Sequence, residues 1–139
     1  MSKMNPVIHF EMPYVDKERM VDFYAKAFGW SAKMMGPEMG NYVVAQTTET
    51  DEKGMIKTPG NINGGFYQKT DDPKSHAPSV VIQVDDLHEA MKKVEEAGGT
   101  VVGGGNKAGE PDNIPGVGLW ISFLDSEGNR VSMLQPKLM

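Results

Sequence analysis

The chain contains no cysteine among its 139 residues. Disulfide bonds, thiolate metal sites and a cysteine nucleophile are therefore excluded. It also has no apolar run of the length that a membrane span needs, and no charged and apolar leader at its N-terminus. We therefore expect a soluble, unprocessed protein. We place it in the cytoplasm, because the lack of cysteine is compatible with that compartment.

Positive charge is scarce. The chain has 14 lysines and arginines but 19 aspartates and glutamates, which gives a formal net charge of -5. No run of lysines or arginines supplies the concentrated positive field that attracts nucleic acids and anionic membranes. We therefore predict no nucleic-acid partner and no membrane partner. A chain of this length forms one ordinary domain and buries about two thirds of its unfolded surface.

The first stretch with a clear period covers residues 7–12. Its side chains alternate between two faces, as they do in a β-strand. Ile8, Phe10 and Met12 form the apolar face, and Val7, His9 and Glu11 form the other. We expect a helix to cover the apolar face. Two ionisable side chains, His9 and Glu11, then lie on the opposite face and are the first indication of a site.

An amphipathic helix is predicted directly after this strand. Asp16 is the expected N-cap, because its carboxylate can accept hydrogen bonds from the first-turn amides. Gly29 is the expected stop. Apolar residues recur between them at helical spacing and give the helix its buried stripe. They are Met20, Val21, Tyr24, Ala27 and Phe28.

Three more strands are predicted in the first half, at residues 31–35, 41–48 and 61–69. The first two are separated by Gly-Pro-Glu-Met-Gly, a turn sequence, so we expect a hairpin. In the last of the three, Gly64 and Gly65 mark either a bulge or a place where another group approaches the backbone closely.

The same order of elements begins again at Ser79. A strand is predicted over residues 79–84, and a helix over residues 86–97 begins with a capping box formed by Asp86 and Glu89. The remaining strands are predicted at residues 100–102, 117–124 and 129–135, with a glycine-rich loop over residues 103–116.

The two halves also agree in spacing. Thirteen residues separate Asp16 from Gly29, and thirteen separate Asp85 from Gly98. The order strand, helix, strand, strand, strand therefore occurs twice, and a repeat of this size says more about the fold than any single motif.

Four stretches of the sequence resemble the vicinal oxygen chelate superfamily, which includes glyoxalase I, extradiol dioxygenases, fosfomycin-resistance transferases and bleomycin-resistance proteins. They are HFEMPYVDKERMVDFYAKAFGW, NINGGFY, VVIQVDDLHEAMKKVEEAGGTVV and IPGVGLWISFLDSEGNRVSMLQP. The likeness is closest to the small single-domain members of glyoxalase or bleomycin-resistance type. It implies an α+β fold in which two βαβββ modules form a curled, mostly antiparallel sheet around a cleft.

On this resemblance the chain is one domain over residues 1–139. The first module covers about residues 5–69, a linker covers 70–78, and the second module covers about 79–136. The resemblance also implies a homodimer and a small organic molecule bound in the cleft.

Metal-dependent members of the superfamily take four ligands from the first and last strands of their modules. By position these fall on His9, on Gly64 or Gly65, on Ser79 and on Ser132. Only His9 carries a suitable side chain, whereas a transition metal needs about three protein donors. We therefore expect no metal and no other cofactor, with a divalent Zn, Ni, Fe or Mn ion as the alternative.

The candidate catalytic residues are His9 and Glu11. His9 is either a hydrogen-bonded residue of a pocket wall, or a base or substrate contact oriented by Glu11, or a metal ligand. The candidate ligand-binding residues belong to the second module, where Ser79, Val81 and Gln83 are expected on the side opposite the helix and Arg130 and Ser132 share one face of the last strand. They are Ser79, Val81, Gln83, Trp120, Arg130 and Ser132.

The favoured function is binding of a small organic molecule without a catalytic metal, as bleomycin-resistance proteins do by sequestration. One alternative is an enzyme, namely a metal-dependent glyoxalase-type lyase or isomerase, or a dioxygenase, that uses His9. The other alternative is a dimeric structural or regulatory module whose cleft is vestigial. Whether the chain is an enzyme stays open at this point.

Overall fold

The structure, a computed structural model, describes residues 3–105 and 107–137. It divides into two compact units. The N-terminal unit is formed by residues 9–78, and the C-terminal unit by residues 3–8 together with residues 79–105 and 107–137. The α+β class and the doubled order of elements predicted from the sequence are confirmed.

The N-terminal unit is a four-stranded arrangement with one α-helix among its described residues. Its elements are β1 (Val7–Tyr14, which enters this unit at His9), α1 (Lys17–Phe28), β2 (Ser31–Met34), β3 (Val43–Gln46) and β4 (Asn63–Gln68). β2 pairs antiparallel with β3, β3 pairs antiparallel with β4, and β4 pairs parallel with β1. The predicted hairpin of β2 and β3 is confirmed.

Helix α1 begins and ends where the sequence predicts. Asp16 accepts a hydrogen bond of 3.0 Å from the backbone N–H of Arg19. Gly29 ends the helix at a φ of 74°, in the left-handed region where glycine carries no Cβ penalty. The helix packs on the apolar face of β1, around a buried core to which it contributes partly buried side chains. The core residues are Tyr14, Val43, Ala45 and Phe66, packed by Phe10, Met12, Met20, Val21, Tyr24 and Trp30.

The C-terminal unit repeats this order with one additional short strand. Its elements are β5 (Ser79–Gln83), α2 (Leu87–Glu96), β6 (Thr100–Gly103), β7 (Asp112–Ile114), β8 (Gly118–Leu124) and β9 (Arg130–Pro136). β5 pairs parallel with β9, whereas β9, β6 and β7 each pair antiparallel with β8. The prediction of a loop throughout residues 103–116 is wrong at β7, because these three residues find ladder partners on β8.

The core of the C-terminal unit lies between α2 and one face of its strands. Val84, Leu87, Ile121, Phe123 and Met133 are buried there. Asp86 caps α2 by accepting from the backbone N–H of Glu89, as the predicted capping box requires on that side. The strand face opposite α2 does not belong to this core.

Residues before β1 belong to the C-terminal unit through two polar contacts. The backbone N–H of Gln83 donates to the carbonyl of Pro6 at 2.9 Å. Lys3 Nζ forms an exposed ion pair with Asp85 at 2.8 Å. Neither helix of the described chain has the length and apolar character that crossing a bilayer demands.

Candidate functional site

In the N-terminal unit, His9 and Glu11 lie on the face of β1 that points away from α1. The strand register places His9 beside Asn63 and Glu11 beside Gly65 of β4. The two candidates differ in exposure, because His9 is open to solvent and Glu11 is 7% exposed. The alternation read from the sequence thus places both side chains on one face, and only His9 is accessible there.

Glu11 is held by a tyrosine that the sequence did not indicate. The Tyr42 hydroxyl donates a hydrogen bond of 2.9 Å to Oε2 of Glu11. Its ring lies directly over the backbone of Gly65, where an added Cβ would collide with the ring and the hydroxyl. The close approach predicted at Gly64 and Gly65 is confirmed, and at Gly65 the approaching group is the phenol of Tyr42.

The surroundings shift the pKa values of two groups on this face. Burial, followed by the charge of Glu11 and the hydrogen bond to it, raises the pKa of the Tyr42 hydroxyl well above its ordinary value of about 10. Tyr42 is therefore a proton-bearing donor at neutral pH. Burial of part of the imidazole lowers the pKa of His9 below its ordinary value of about 6.5. At neutral pH His9 is consequently uncharged, as a proton acceptor or a ligand atom must be.

In the C-terminal unit, all six candidate ligand-binding residues share one strand face. Val81 of β5 pairs with Ser132 of β9, and Ser132 pairs with Ser122 of β8. Gln83 of β5 and Trp120 of β8 likewise both pair with Leu134 of β9. Successive side chains alternate along a strand, so Ser79 and Arg130 belong to this face as well. We call it the hydroxyl face, after Ser79, Ser122 and Ser132.

The residues of the hydroxyl face differ in accessibility. Ser79, Gln83, Trp120 and Arg130 are partly exposed. Val81 is 3% exposed and Ser132 is fully buried, at 0%. A molecule can therefore touch Val81 or Ser132 only if this face opens.

Two of the three hydroxyls on this face are buried without a hydrogen bond. Ser122 donates from Oγ to the carbonyl of Gly103 at 3.0 Å. The Oγ atoms of Ser79 and Ser132 are also inaccessible to solvent, yet neither has a hydrogen-bond partner within residues 3–105 and 107–137. Such groups are uncommon in folded proteins, because a buried unpaired hydroxyl is costly.

The donor set does not fit a divalent transition metal. Within the described part of the chain, no group of three or more His, Asp or Glu side chains is close enough to hold an ion. The positions that the family resemblance assigns to metal ligands hold one histidine, a glycine and two serines, and neutral serine hydroxyls are poor ligands for such ions. His76 binds the carbonyl of Thr70 through Nε2 at 2.8 Å, and His88 is an exposed residue of α2.

A concave feature lies at the start of α1 in the N-terminal unit. It is an open depression of about 620 Å³, lined by residues 14–19, Asn41 and Gln68. The carboxylate of Asp16 is occupied there by its capping bond, and the Tyr14 hydroxyl donates to the carbonyl of Asn41 at 2.7 Å. The sequence did not predict this depression, because its lining comes from three separate stretches of the chain that only the fold brings together.

The doubled βαβββ order, with a helix on one face and polar side chains on the other face of each unit, defines the class of protein. The chain belongs to the Glyoxalase/Bleomycin resistance protein/Dioxygenase superfamily, whose family model matches residues 7–133. The resemblance identified from the sequence is thereby confirmed. No curated protein matches the sequence.

Solved structures with the same fold are similar over nearly the whole chain. A hypothetical protein from Bacillus halodurans is 13% identical, with a TM-score of 0.65 over 99% of this chain and 98% of that one. Methylmalonyl-CoA epimerase from Streptomyces coelicolor, in a variant bound to 2-nitronate-propionyl-CoA, is 12% identical, with a TM-score of 0.65 over 95% and 97%. The epimerase from Mycobacterium tuberculosis is 11% identical, with a TM-score of 0.61 over 95% and 88%. At these identities the likeness shows the fold alone.

Proposed function

We propose that this protein binds a small organic molecule without a catalytic metal, on the strand faces that lie opposite its helices. The observation that carries the proposal is the replacement of the metal-ligand positions. Gly65 offers no side chain, and the Tyr42 phenol occupies the space over it. Ser79 and Ser132 offer hydroxyls, which suit a polar ligand group better than a transition-metal ion.

The composition of the hydroxyl face supports an organic ligand. Of the apolar residues next to the serines, Trp120 is partly exposed, whereas Val81 and Leu134 are buried. Gln83 supplies an amide. Small-molecule sites are commonly apolar surfaces with a few placed polar groups. On the corresponding face of the N-terminal unit, the exposed and uncharged imidazole of His9 is a hydrogen-bonding group of its own.

A thermal-shift screen tests this function directly. We expect at least one small organic compound from a diverse panel to raise the melting temperature, because binding stabilises the folded state through mass action. The rise should be the same with 1 mM EDTA as with added Zn, Ni, Fe or Mn. His9→Ala should weaken the shift moderately. His88→Ala, on the exposed side of α2, is the matched control and should leave it unchanged. A shift that requires metal, or no shift with any compound, would contradict the proposal.

The second candidate is an isomerase or lyase that uses His9 as a general base. The observation that favours it is the exposed imidazole, which the lowered pKa keeps unprotonated at neutral pH. The structural similarity to methylmalonyl-CoA epimerases suggests the first substrate to try. Incubation with methylmalonyl-CoA in D₂O, with and without added divalent metal, should then give His9-dependent exchange of the proton next to the two carbonyl groups. Absence of exchange under both conditions would reject this candidate for that substrate.

The vestigial-cleft alternative has one observation in its favour, which is the burial of Val81 and Ser132 on the hydroxyl face. It predicts that no compound binds. The homodimer stays a prediction, and sedimentation velocity at micromolar concentration would measure it as a mass of twice 15.2 kDa.

A further inference from the structure

The buried hydroxyls of Ser79 and Ser132 lie beside Arg130 on the hydroxyl face. The register pairs Val81 with Ser132 on parallel strands, and two residues earlier on each strand it brings Ser79 level with Arg130. Neighbouring strands are about 4.8 Å apart and two residues span about 6.6 Å, so the Ser79 and Ser132 Cα atoms are on the order of 8 Å apart along a diagonal. Side chains that lean together across this distance can share one bound group.

The Oγ atoms of Ser79 and Ser132 are buried without a hydrogen-bond partner in the described part of the chain, and this points to a bound group. A hydroxyl bridge through one oxygen atom spans about 5.5 Å, twice the usual O–H···O distance. Burying a hydroxyl without a partner costs about 1–3 kcal/mol, and alanine at either position would avoid that cost. Because Ser132 is fully buried and Ser122 beside it is satisfied by Gly103, packing alone gives no reason for the unpaired pair.

The charge of Arg130 and the apolar side chains near the two serines indicate which chemical group of a ligand would bind here. Arg130 is one of the two arginines of the chain and carries the cationic group of this face. A guanidinium with two hydroxyl donors matches a carboxylate, which accepts through two oxygens. Moving along β9 from Ser132, the neighbours become Leu134 and, across on β8, Trp120, so the side chains next to the hydroxyl pair in that direction are apolar.

We infer that Ser79, Ser132 and Arg130 form a subsite for the carboxylate of a small hydrophobic acid, whose apolar body lies along Val81, Leu134 and Trp120. This inference rests on the proposed function and names the class of its ligand. The hydroxyls donate to the carboxylate oxygens, and the guanidinium supplies the opposite charge. Because Ser132 is fully buried, binding of the acid requires this face to open.

Calorimetric titration with two acids and their neutral isosteres tests the inference at pH 7. The probes are benzoate and phenylacetate against benzamide and phenylacetamide. We expect the acids to bind at least tenfold more tightly than the amides. Ser132→Ala, Ser79→Ala and Arg130→Gln should each raise the Kd of the acids about 10- to 100-fold, as expected for loss of a hydrogen bond to a charged group, with little effect on the amides. The controls are Ser126→Ala, in the exposed turn after β8, and Arg19→Gln, the other arginine.

A second readout separates a ligand site from a packing role. Removing an unpaired buried hydroxyl should raise the melting temperature of Ser132→Ala without added acid by about 2–4 °C, although the same change weakens binding of the acid. Equal affinity for acids and amides, or acid binding unchanged in all three variants, overturns the carboxylate subsite while leaving the proposed function intact. Failure of the four probes and of the whole thermal-shift panel overturns both.

Discussion

The Tyr42 hydroxyl reaches Oε2 of Glu11 at 2.9 Å, across the backbone of Gly65. Gly65 has no side chain, and the Tyr42 ring occupies the space that a side chain at this position would take. Gly65 is one of the two glycines at which the family resemblance would place a metal ligand, and here a neutral phenol lies over it against a buried carboxylate. This arrangement supports the metal-independent function that we propose.

Gly65→Ala should destabilise the protein by about 1–3 kcal/mol, the usual cost of overpacking, because the new Cβ meets the Tyr42 ring. Urea unfolding measures this as a lower midpoint. In the background of Tyr42→Ala the same change should cost far less. Equal costs in the two backgrounds would show that the ring does not occupy this space.

Tyr42→Phe should reduce the free energy of unfolding by about 1.5–3 kcal/mol at pH 7, since it removes a hydrogen bond to a carboxylate that stays 7% exposed. The matched control is Tyr24→Phe, whose hydroxyl lies 3.9 Å from Met12 Sδ. A loss no larger than in the control would mean that the carboxylate is satisfied without the phenol.

The raised pKa of Tyr42 also predicts that the free energy of unfolding depends on pH in the alkaline range. The unfolded tyrosine loses its proton near pH 10, whereas the folded one keeps it, so the associated stability is complete below about pH 10 and is lost as pH rises further. Tyr14, whose pKa is raised by burial and by Glu18, acts in the same direction. Unfolding midpoints at pH 9, 10 and 11 should fall more steeply for the wild type than for Tyr42→Phe. Parallel curves would contradict the assignment to Tyr42.

His9 should titrate below its ordinary value of about 6.5, because burial lowers its pKa. The unfolded chain then binds a proton that the folded chain does not, so a small part of the stability, present above about pH 6.5, is lost as pH falls through the folded pKa. NMR titration of the imidazole protons measures the pKa, with His9→Gln to assign the signal and His88→Gln as the control variant. A titration midpoint at or above 6.5 would contradict this prediction.

The sequence predicts those features that depend on local chemistry. Asp16 and Gly29 delimit α1, because a capping carboxylate and a left-handed glycine act within one turn of the helix. The alternation in β5 and β9 likewise places Ser79, Val81 and Ser132 on one face, since the period of a strand is fixed.

Features that depend on distant partners were not predictable in the same way. Tyr42 lies in the connection before β3, and nothing in its neighbours indicates that its hydroxyl reaches Glu11, 31 residues earlier. The glycines at 64 and 65 predicted a close approach but not the group that approaches. β7 was missed because its three residues lie among glycines and prolines and form a strand only by pairing with β8. The lack of partners at Ser79 and Ser132 is likewise visible only after folding.

The measurement that tests the central claim most directly is the metal content of the protein purified without chelator, repeated after incubation with excess Zn, Ni, Fe and Mn and desalting. We predict far less than one ion per chain for each metal, with the same residual amount in His9→Ala. Near-stoichiometric retention of one ion by the wild type, lost in His9→Ala and kept in His88→Ala, would contradict the metal-free account and favour the metal-dependent enzyme.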